Sequence, residues 1–325
     1  MKKLSKVVIF LALMSMGLTG CTNDSNKSDC EGDGCKIFTT QPVNLKVACP
    51  AGAPAVSLFA HLGEQNVEIN AAENVQSYMT DASDKDIVIL PTNFGISAIV
   101  NKNVSFKIAA TVTFGNFYLL STGLDDNTVL DAGDKVLAFQ QNGVAGKLFN
   151  YVYGDKELNV TYLADAASVK TAILTSDSSF DYEYALLAQP VVNAVLKNKS
   201  AYSLFANVQE DYKTKTSGKE ITQASIFVKN TANREAVNTF LQTINNDVHQ
   251  LMDDTQNIID QTKKLEEEVV SAKLNGTAQA IKGLLDNGNQ LGVGYKEAFA
   301  NKANIDAFVQ TLGLGATSEE IYYRA

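Results

Sequence analysis

The chain has 325 residues, 45% hydrophobic and 19% charged, enough apolar material for a soluble body with a sizeable core and room for two domains. A formal net charge of −9 disfavours nucleic acid as a partner. With His61 and His249 as the two histidines, Arg234 and Arg324 as the two arginines and no tryptophan, the usual material for acid–base catalysis and for clamping oxyanions is scarce.

At the amino end Lys2, Lys3 and Lys6 precede an apolar stretch, Val7 to Met14, and small residues lead into Leu18-Thr19-Gly20-Cys21. A basic start, a short apolar core and small residues before a cut describe an export signal. The apolar run is shorter than the roughly 20 residues a membrane-spanning helix needs. The segment resembles a bacterial lipoprotein signal, and the resemblance implies that residues 1–20 are removed and that Cys21 carries a thioether-linked diacylglycerol. The leader holds three lysines and no acid, so the remainder has a net charge near −12. Residues 21–42, rich in Asp, Ser, Asn and Gly as far as about Gln41, are expected to form a flexible tether with little to bury. Within it Cys30 and Cys35 flank Glu31-Gly32-Asp33-Gly34 and can close a small disulfide in an oxidising compartment. A zinc site would require further histidines or a second cysteine pair.

From Val43 onward short apolar runs alternate with amphipathic segments, the pattern of β-α units around mainly parallel sheets. Strands are predicted at Leu45 to Cys49, Val67 to Asn70, Asp86 to Leu90, Phe106 to Val112, Tyr118 to Ser121, Lys135 to Phe139, Asn159 to Leu163, Tyr184 to Ala188 and Ala224 to Val228. Cys49, ending the first of them, reads as a small buried apolar thiol rather than a nucleophile. Helices are predicted at Ala55 to Leu62, Glu73 to Thr80, Asn93 to Val100, Val144 to Tyr153, Ser168 to Leu174 and Val191 to Leu196, several opening at a Pro or a capping Asn or Ser. From Thr231 to Leu274 the apolar residues Val237, Phe240, Leu241, Ile244, Val248 and Leu251 recur at helical spacing, and Ile258, Ile259, Leu265 and Val269 extend the stripe, predicting one or two long helices.

Several segments in series resemble the solute-binding lipoproteins of ABC importers, in the nitrate, sulfonate, taurine and thiamine-precursor group. They are Lys46-Val47-Ala48-Cys49-Pro50-Ala51-Gly52-Ala53-Pro54-Ala55, Asp86-Ile87-Val88-Ile89-Leu90-Pro91-Thr92-Asn93, Thr113-Phe114-Gly115-Asn116-Phe117-Tyr118-Leu119-Leu120, Asp181-Tyr182-Glu183-Tyr184-Ala185-Leu186-Leu187-Ala188-Gln189-Pro190 and Glu319-Glu320-Ile321-Tyr322-Tyr323. Gln189 departs from the group, which often has Glu there. The resemblance implies the type II periplasmic-binding-protein fold: two α/β lobes of mainly parallel sheets flanked by helices, with a helical carboxyl-terminal segment and the ligand between the lobes. Residues 43–112 plus 223–325 are expected to form lobe one and 113–222 lobe two. The implied function is capture of a small organic solute, such as a thiamine-precursor-like heterocycle, for an ABC permease and ATPase, by a monomer anchored outside the cell membrane through its lipid. No cofactor, metal, nucleic acid or enzymatic activity is expected. Binding of a sulfonate, taurine or nitrate-like anion is the alternative. An enzyme of pyrimidine synthesis shares the fold in the wider family, and a surface adhesin is a third class, but no nucleophile elbow, Ser-His-Asp set or metal-ligand spacing is evident.

In open parallel sheets ligands sit beyond the carboxyl ends of the strands. Here those ends carry Gly52-Ala53-Pro54, Pro91-Thr92-Asn93, Gln140-Gln141-Asn142-Gly143 and Gln189-Pro190, each before a helix whose amino end offers free N–H groups. The candidate ligand-binding residues are Gly52, Ala53, Pro54, Thr92, Asn93, Thr113, Phe114, Asn116, Tyr118, Gln141, Asn142, Gly143, Glu183 and Gln189. None of these loops holds Lys or Arg, so a neutral or weakly polar solute is expected. Phe114, Phe117, Tyr118, Tyr182 and Tyr184 would supply an aromatic face, with Asn93, Asn116, Gln141 and Gln189 reading the polar edge. Glu183 would mark a cationic group or face water.

Overall fold

Successive side chains of a strand point to opposite faces, and the first strand, Val47–Pro50 (β1), divides its contacts accordingly. Ala48 packs with Val88, Leu90 and Phe227 in one apolar core, while Val47 and Cys49 pack with Ile87, Ile89, Val112 and Ile226 in a second. Cys49 is fully buried, and burial pushes its thiol pKa well up, as expected of an inert core residue. The computed structural model describes residues 38–123, 128–176 and 181–325. Residues 1–37, with the leader, Cys21, Cys30 and Cys35, lie outside them.

The remaining strands are Val67–Asn70 (β2), Ile87–Pro91 (β3), Phe106–Thr113 (β4), Phe117–Thr122 (β5), Lys135–Phe139 (β6), Asn159–Leu163 (β7), Tyr184–Ala188 (β8), Tyr202–Asn207 (β9), Ala224–Lys229 (β10) and Val293–Glu297 (β11). Among the described residues they make two sheets, ordered β11-β4-β10-β3-β1-β2 and β7-β6-β8-β5-β9. In the first, β1 to β4 run one way and β10 and β11 run against them. In the second, β6 to β9 run one way and β5 against them. The reversed strands β5 and β10 are the crossing ones. A chain leaving one sheet at its carboxyl edge and entering the other at that sheet's carboxyl edge must run antiparallel to its new neighbours. Phe117, opening β5, pairs with Ala188 at the end of β8, and Ala224, opening β10, pairs with Pro91 and Thr113 at the ends of β3 and β4. The carboxyl ends of both sheets therefore meet at the two crossings.

The helices are Ala53–Val56 (α1), Ala72–Ser77 (α2), Thr92–Lys102 (α3), Val144–Tyr153 (α4), Ala166–Leu174 (α5), Val191–Asn198 (α6), Val208–Lys215 (α7), Arg234–Asp253 (α8), Asn257–Thr262 (α9), Glu267–Leu274 (α10), Ala278–Asp286 (α11) and Lys302–Thr311 (α12). Side-chain caps start several: Asp165 accepts from the Ser168 N–H, Asn233 from Ala236 N–H and Thr277 from Ala280 N–H. The predicted long helical stretch from Thr231 to Leu274 is broken into α8, α9 and α10. The break after α8 has a local cause, since the Asp254 carboxylate accepts from the Gln256 N–H at 3.0 Å and offers the chain a turn in place of another helical bond. Of the described helices, none is long and apolar enough to cross a membrane.

The predicted tether extends less far than residue 42. Phe38 packs edge-on against Phe59 at 5.4 Å between ring centroids, and Thr39 exchanges two hydrogen bonds with the Gln250 side chain on α8. Thr40 donates to Asp247 at 2.7 Å. Asp247 in turn lies 2.7 Å from Nε2 of the fully buried His61, whose Nδ1 is 2.8 Å from Glu64. Both ring nitrogens thus face carboxylates, which requires the imidazolium. Burial alone lowers the His61 pKa; the hydrogen bonds to Asp247 and Glu64 outweigh it and leave the pKa raised.

Candidate functional site

At the first crossing the chain passes from Thr113 through Phe114, Gly115 and Asn116 into β5, and at the second it returns through Ile221, Thr222 and Gln223 into β10. The two are stitched together. Gln223 N–H donates to the Thr113 carbonyl at 2.9 Å, and Thr92 N–H donates to the Gln223 carbonyl at 3.0 Å. A third segment joins them just before β11, where the Phe114 N–H donates to Gly292 O at 2.7 Å. Gly292 has φ +62°, and a Cβ there would fall 2.1 Å from the Gly115 carbonyl oxygen, so the backbones approach as only glycine allows. Gln209, opening α7, is buried beneath the crossings; turned to satisfy both neighbours, its amide donates to Phe114 O and accepts from Ile221 N–H at 3.0 Å.

Five side-chain oxygens around these crossings are buried and without a hydrogen-bond partner: Asn93 Oδ1, Thr113 Oγ1, Asn116 Oδ1, Thr222 Oγ1 and Gln223 Oε1. Buried polar atoms in native proteins are nearly always paired, so each of these oxygens calls for a partner, water or another molecule. Asn116 is held by two bonds to Gln189: its Nδ2 donates to the Gln189 carbonyl, and its own carbonyl accepts from the Gln189 N–H, both at 3.0 Å. Gln189 continues the link, donating through Nε2 to Gln290 Oε1 at 2.8 Å, and the Tyr118 hydroxyl donates to the Gln290 carbonyl at 3.0 Å. Two residues of the second sheet thus grip the loop leading into β11 of the first. Burial, with the Glu210 carboxylate adding to it, pushes the Tyr118 pKa up to about 12.

Of the sequence-predicted residues, Asn93, Thr113 and Asn116 lie at or beside the crossings, where Gln189 bonds Asn116 and Tyr118 bonds the Gln290 carbonyl. Gln141, Asn142 and Gly143 stand at the carboxyl end of β6, where Gln141 and Asn142 are exposed. The other predicted residues have partners or positions of their own. Gly52 spends its N–H on the Lys273 carbonyl at 3.0 Å, and Ala53 and Pro54 belong to a helix of four residues, too short for an anion-holding amino end. The Thr92 hydroxyl is bonded to Ser225 at 2.7 Å, itself 3.2 Å from Thr111, a ladder inside the sheet. Phe114 lies under Lys296, 5.2 Å from its ring centroid, and against Gly294. Glu183 precedes β8, at the opposite end of the strand from Gln189, and its side chain is far from the crossings for that reason. The aromatic face does not assemble. Phe117 packs on Phe139, Tyr184 on Phe205 with its hydroxyl donating to Val129 O, and Tyr182 lines a cavity of about 860 Å³ at the amino ends of β6 and β7. A second cavity of about 700 Å³, lined by Lys107, Arg234 and Tyr323 among others, lies at the far end of the first sheet.

Sequence reasoning missed Thr222, Gln223, Gln290 and Gly292. A signal existed for the first two, because Thr222-Gln223 immediately precedes an apolar strand as the mirror of Thr113-Phe114. Gln290 and Gly292 sit in a Gly-Asn-Gln-Leu-Gly turn of the carboxyl third, which periodicity marks only as the end of a helix.

The architecture is a mixed α/β fold of two helix-flanked sheets with a helical carboxyl-terminal part, the fold of periplasmic binding proteins. An ABC transporter protein from Parabacteroides distasonis shares it with a TM-score of 0.66 at 16% identity, over 87% of this chain and 99% of that one. The ligand-binding component of an ABC-type import system from Staphylococcus aureus, solved with zinc bound, gives 0.62 at 10% identity over 87% and 97%. The periplasmic aliphatic sulphonate binding protein SsuA from Escherichia coli gives 0.61 at 12% identity over 88% and 93%. At such identities the likeness establishes the fold. No protein-family model matches the chain, and no curated protein matches it.

Proposed function

We propose that the chain is the extracytoplasmic solute-binding lipoprotein of an ABC importer, holding a small organic solute where its two sheets meet and handing it unchanged to a permease and its ATPase. The observation that carries this reading is the set of five unpartnered buried oxygens at the crossings of a binding-protein fold. Residues 43–112 with 223–325, and residues 113–222, serve as the two lobes; the division follows the two sheets. The lipobox-like run supports anchoring through Cys21. A nitrogen heterocycle of the thiamine-precursor kind belongs to the proposed class, held by its polar edge rather than by aromatic stacking. Catalysis finds little support, since His61 is locked between two carboxylates and His249 is exposed on α8.

Calorimetric titration against pyrimidines, flavin-like rings, sulfonates and nitrate, with mass analysis of the recovered solute, tests the proposal. Binding of an organic solute that is recovered intact is expected. Chemical turnover of the solute, or no response to any class from protein that also carries no bound small molecule, overturns it.

A further inference from the structure

Three of the five unpartnered oxygens belong to amides, and one of the three cannot turn. Asn93 and Gln223 have no bond from Nδ2 or Nε2 to a described residue, so either amide can rotate to present its NH2. Asn116 cannot: its Nδ2 donates to the Gln189 carbonyl at 3.0 Å, and exchanging oxygen for nitrogen would set two carbonyl oxygens face to face. Asn116 is 5% exposed and its Oδ1 is therefore a fixed, buried acceptor that only a donor can satisfy. The fully buried Thr113 and Thr222 hydroxyls, on the same two crossings, rotate and accept as readily as they donate. Asn93, Thr113, Asn116, Gln189, Thr222 and Gln223 include neither Lys nor Arg, Lys296 is bonded to Glu220, and the charge felt at Tyr118 is the Glu210 carboxylate.

Resting on the solute-binding reading, we propose that the solute is an N–H donor: an amine, amidine, amide or amino-substituted heterocycle, and not an oxyanion such as a sulfonate or nitrate. An oxyanion brings lone pairs alone, which Asn116 Oδ1 repels, and the cation over Phe114, Lys296, is already paired with Glu220. An N–H group supplies the partner that this atom lacks, and further N–H groups meet the Thr113 and Thr222 hydroxyls. Specificity here is as much rejection as attraction, because a site with a committed acceptor excludes ligands that cannot donate.

The test is calorimetric titration of the whole protein with shape-matched probes: benzamidine against benzenesulfonate, and cytosine against nitrate. Either donor is expected to bind at least about tenfold tighter than its oxyanion, the equivalent of one well-made hydrogen bond. Thr113→Val, which keeps the shape and removes the hydroxyl, should weaken the donor probes several-fold. Gln223→Glu should shift preference toward the cationic benzamidine over neutral cytosine, relative to the parent. Binding of benzenesulfonate or nitrate as tight as the donors, and sensitive to Thr113→Val, overturns the donor assignment and leaves solute capture standing. No binding of any probe, together with no small molecule released when the purified protein is denatured, overturns the solute-binding reading itself.

Discussion

Replacing Asp247 with alanine removes a buried carboxylate of which one oxygen holds two partners at once. Its Oδ2 receives His61 Nε2 at 2.7 Å and the Thr40 hydroxyl at 2.7 Å, and its side chain is 1% exposed. Removing it leaves a buried imidazolium with Glu64 as its remaining carboxylate and leaves Thr40 without its acceptor, so that both the ion pair and the docking of residues 38–42 suffer. Breaking a buried pair in this way costs about 3–5 kcal/mol. At about 2 °C per kcal/mol for a body of this size, the midpoint should fall by roughly 6–10 °C. The pH dependence gives a sharper check. His61 has its pKa raised above the ordinary 6.5, so its contribution is complete below that value and is lost as pH rises through the raised one. The stability gap between wild type and Asp247→Ala, measured by urea unfolding, should therefore shrink as pH rises above the ordinary histidine range and through the raised His61 pKa. Exchanging both partners, in His61→Leu with Asp247→Leu, should cost far less than the sum of the single changes. A gap below about 1 kcal/mol, or one that widens with pH, would refute the buried ion pair.

Gly292→Ala should destabilise the protein by about 1–3 kcal/mol, because its Cβ meets the Gly115 carbonyl at 2.1 Å and its φ of +62° disfavours a side chain; thermal unfolding measures it, and a neutral effect would contradict the close crossing. Tyr118→Phe removes the hydroxyl that grips Gln290 and should cost about 0.5–1.5 kcal/mol of stability while leaving the fold intact by circular dichroism. Cys21→Ala should release the protein from the membrane fraction of expressing cells; retention equal to the parent's would rule out the lipid anchor.

How much of this was legible in the sequence depends on range. Strands buried on both faces, such as Ile87–Pro91 and Tyr184–Ala188, announce themselves as apolar runs. Tyr202–Asn207 and Val293–Glu297 escape notice because each lies at the edge of its sheet and leaves most of its residues partly or fully exposed, with Ser203, Gly294, Lys296 and Glu297 blurring the alternation. Asn93, Thr113 and Asn116 could be singled out because they lie within a few residues of strand ends. Glu183 was misplaced by the same reasoning, since a carboxylate before a strand lies at the wrong edge of the sheet. His61 reads as an ordinary helix-face residue; its partner Asp247 is 186 residues away, a distance that local pattern cannot bridge. The aromatic residues carried the wrong implication because alternation places Phe117 and Tyr184 in the core, where their area is worth more than at a polar site.

Native mass spectrometry of gently purified protein tests the central claim most directly, comparing wild type with a Thr113→Val, Asn116→Ser double variant. The account predicts a one-to-one small-molecule adduct on the wild type, of a mass consistent with an N–H-bearing organic solute, and its loss from the variant. An adduct retained undiminished by the folded variant would place the bound molecule elsewhere and contradict the site.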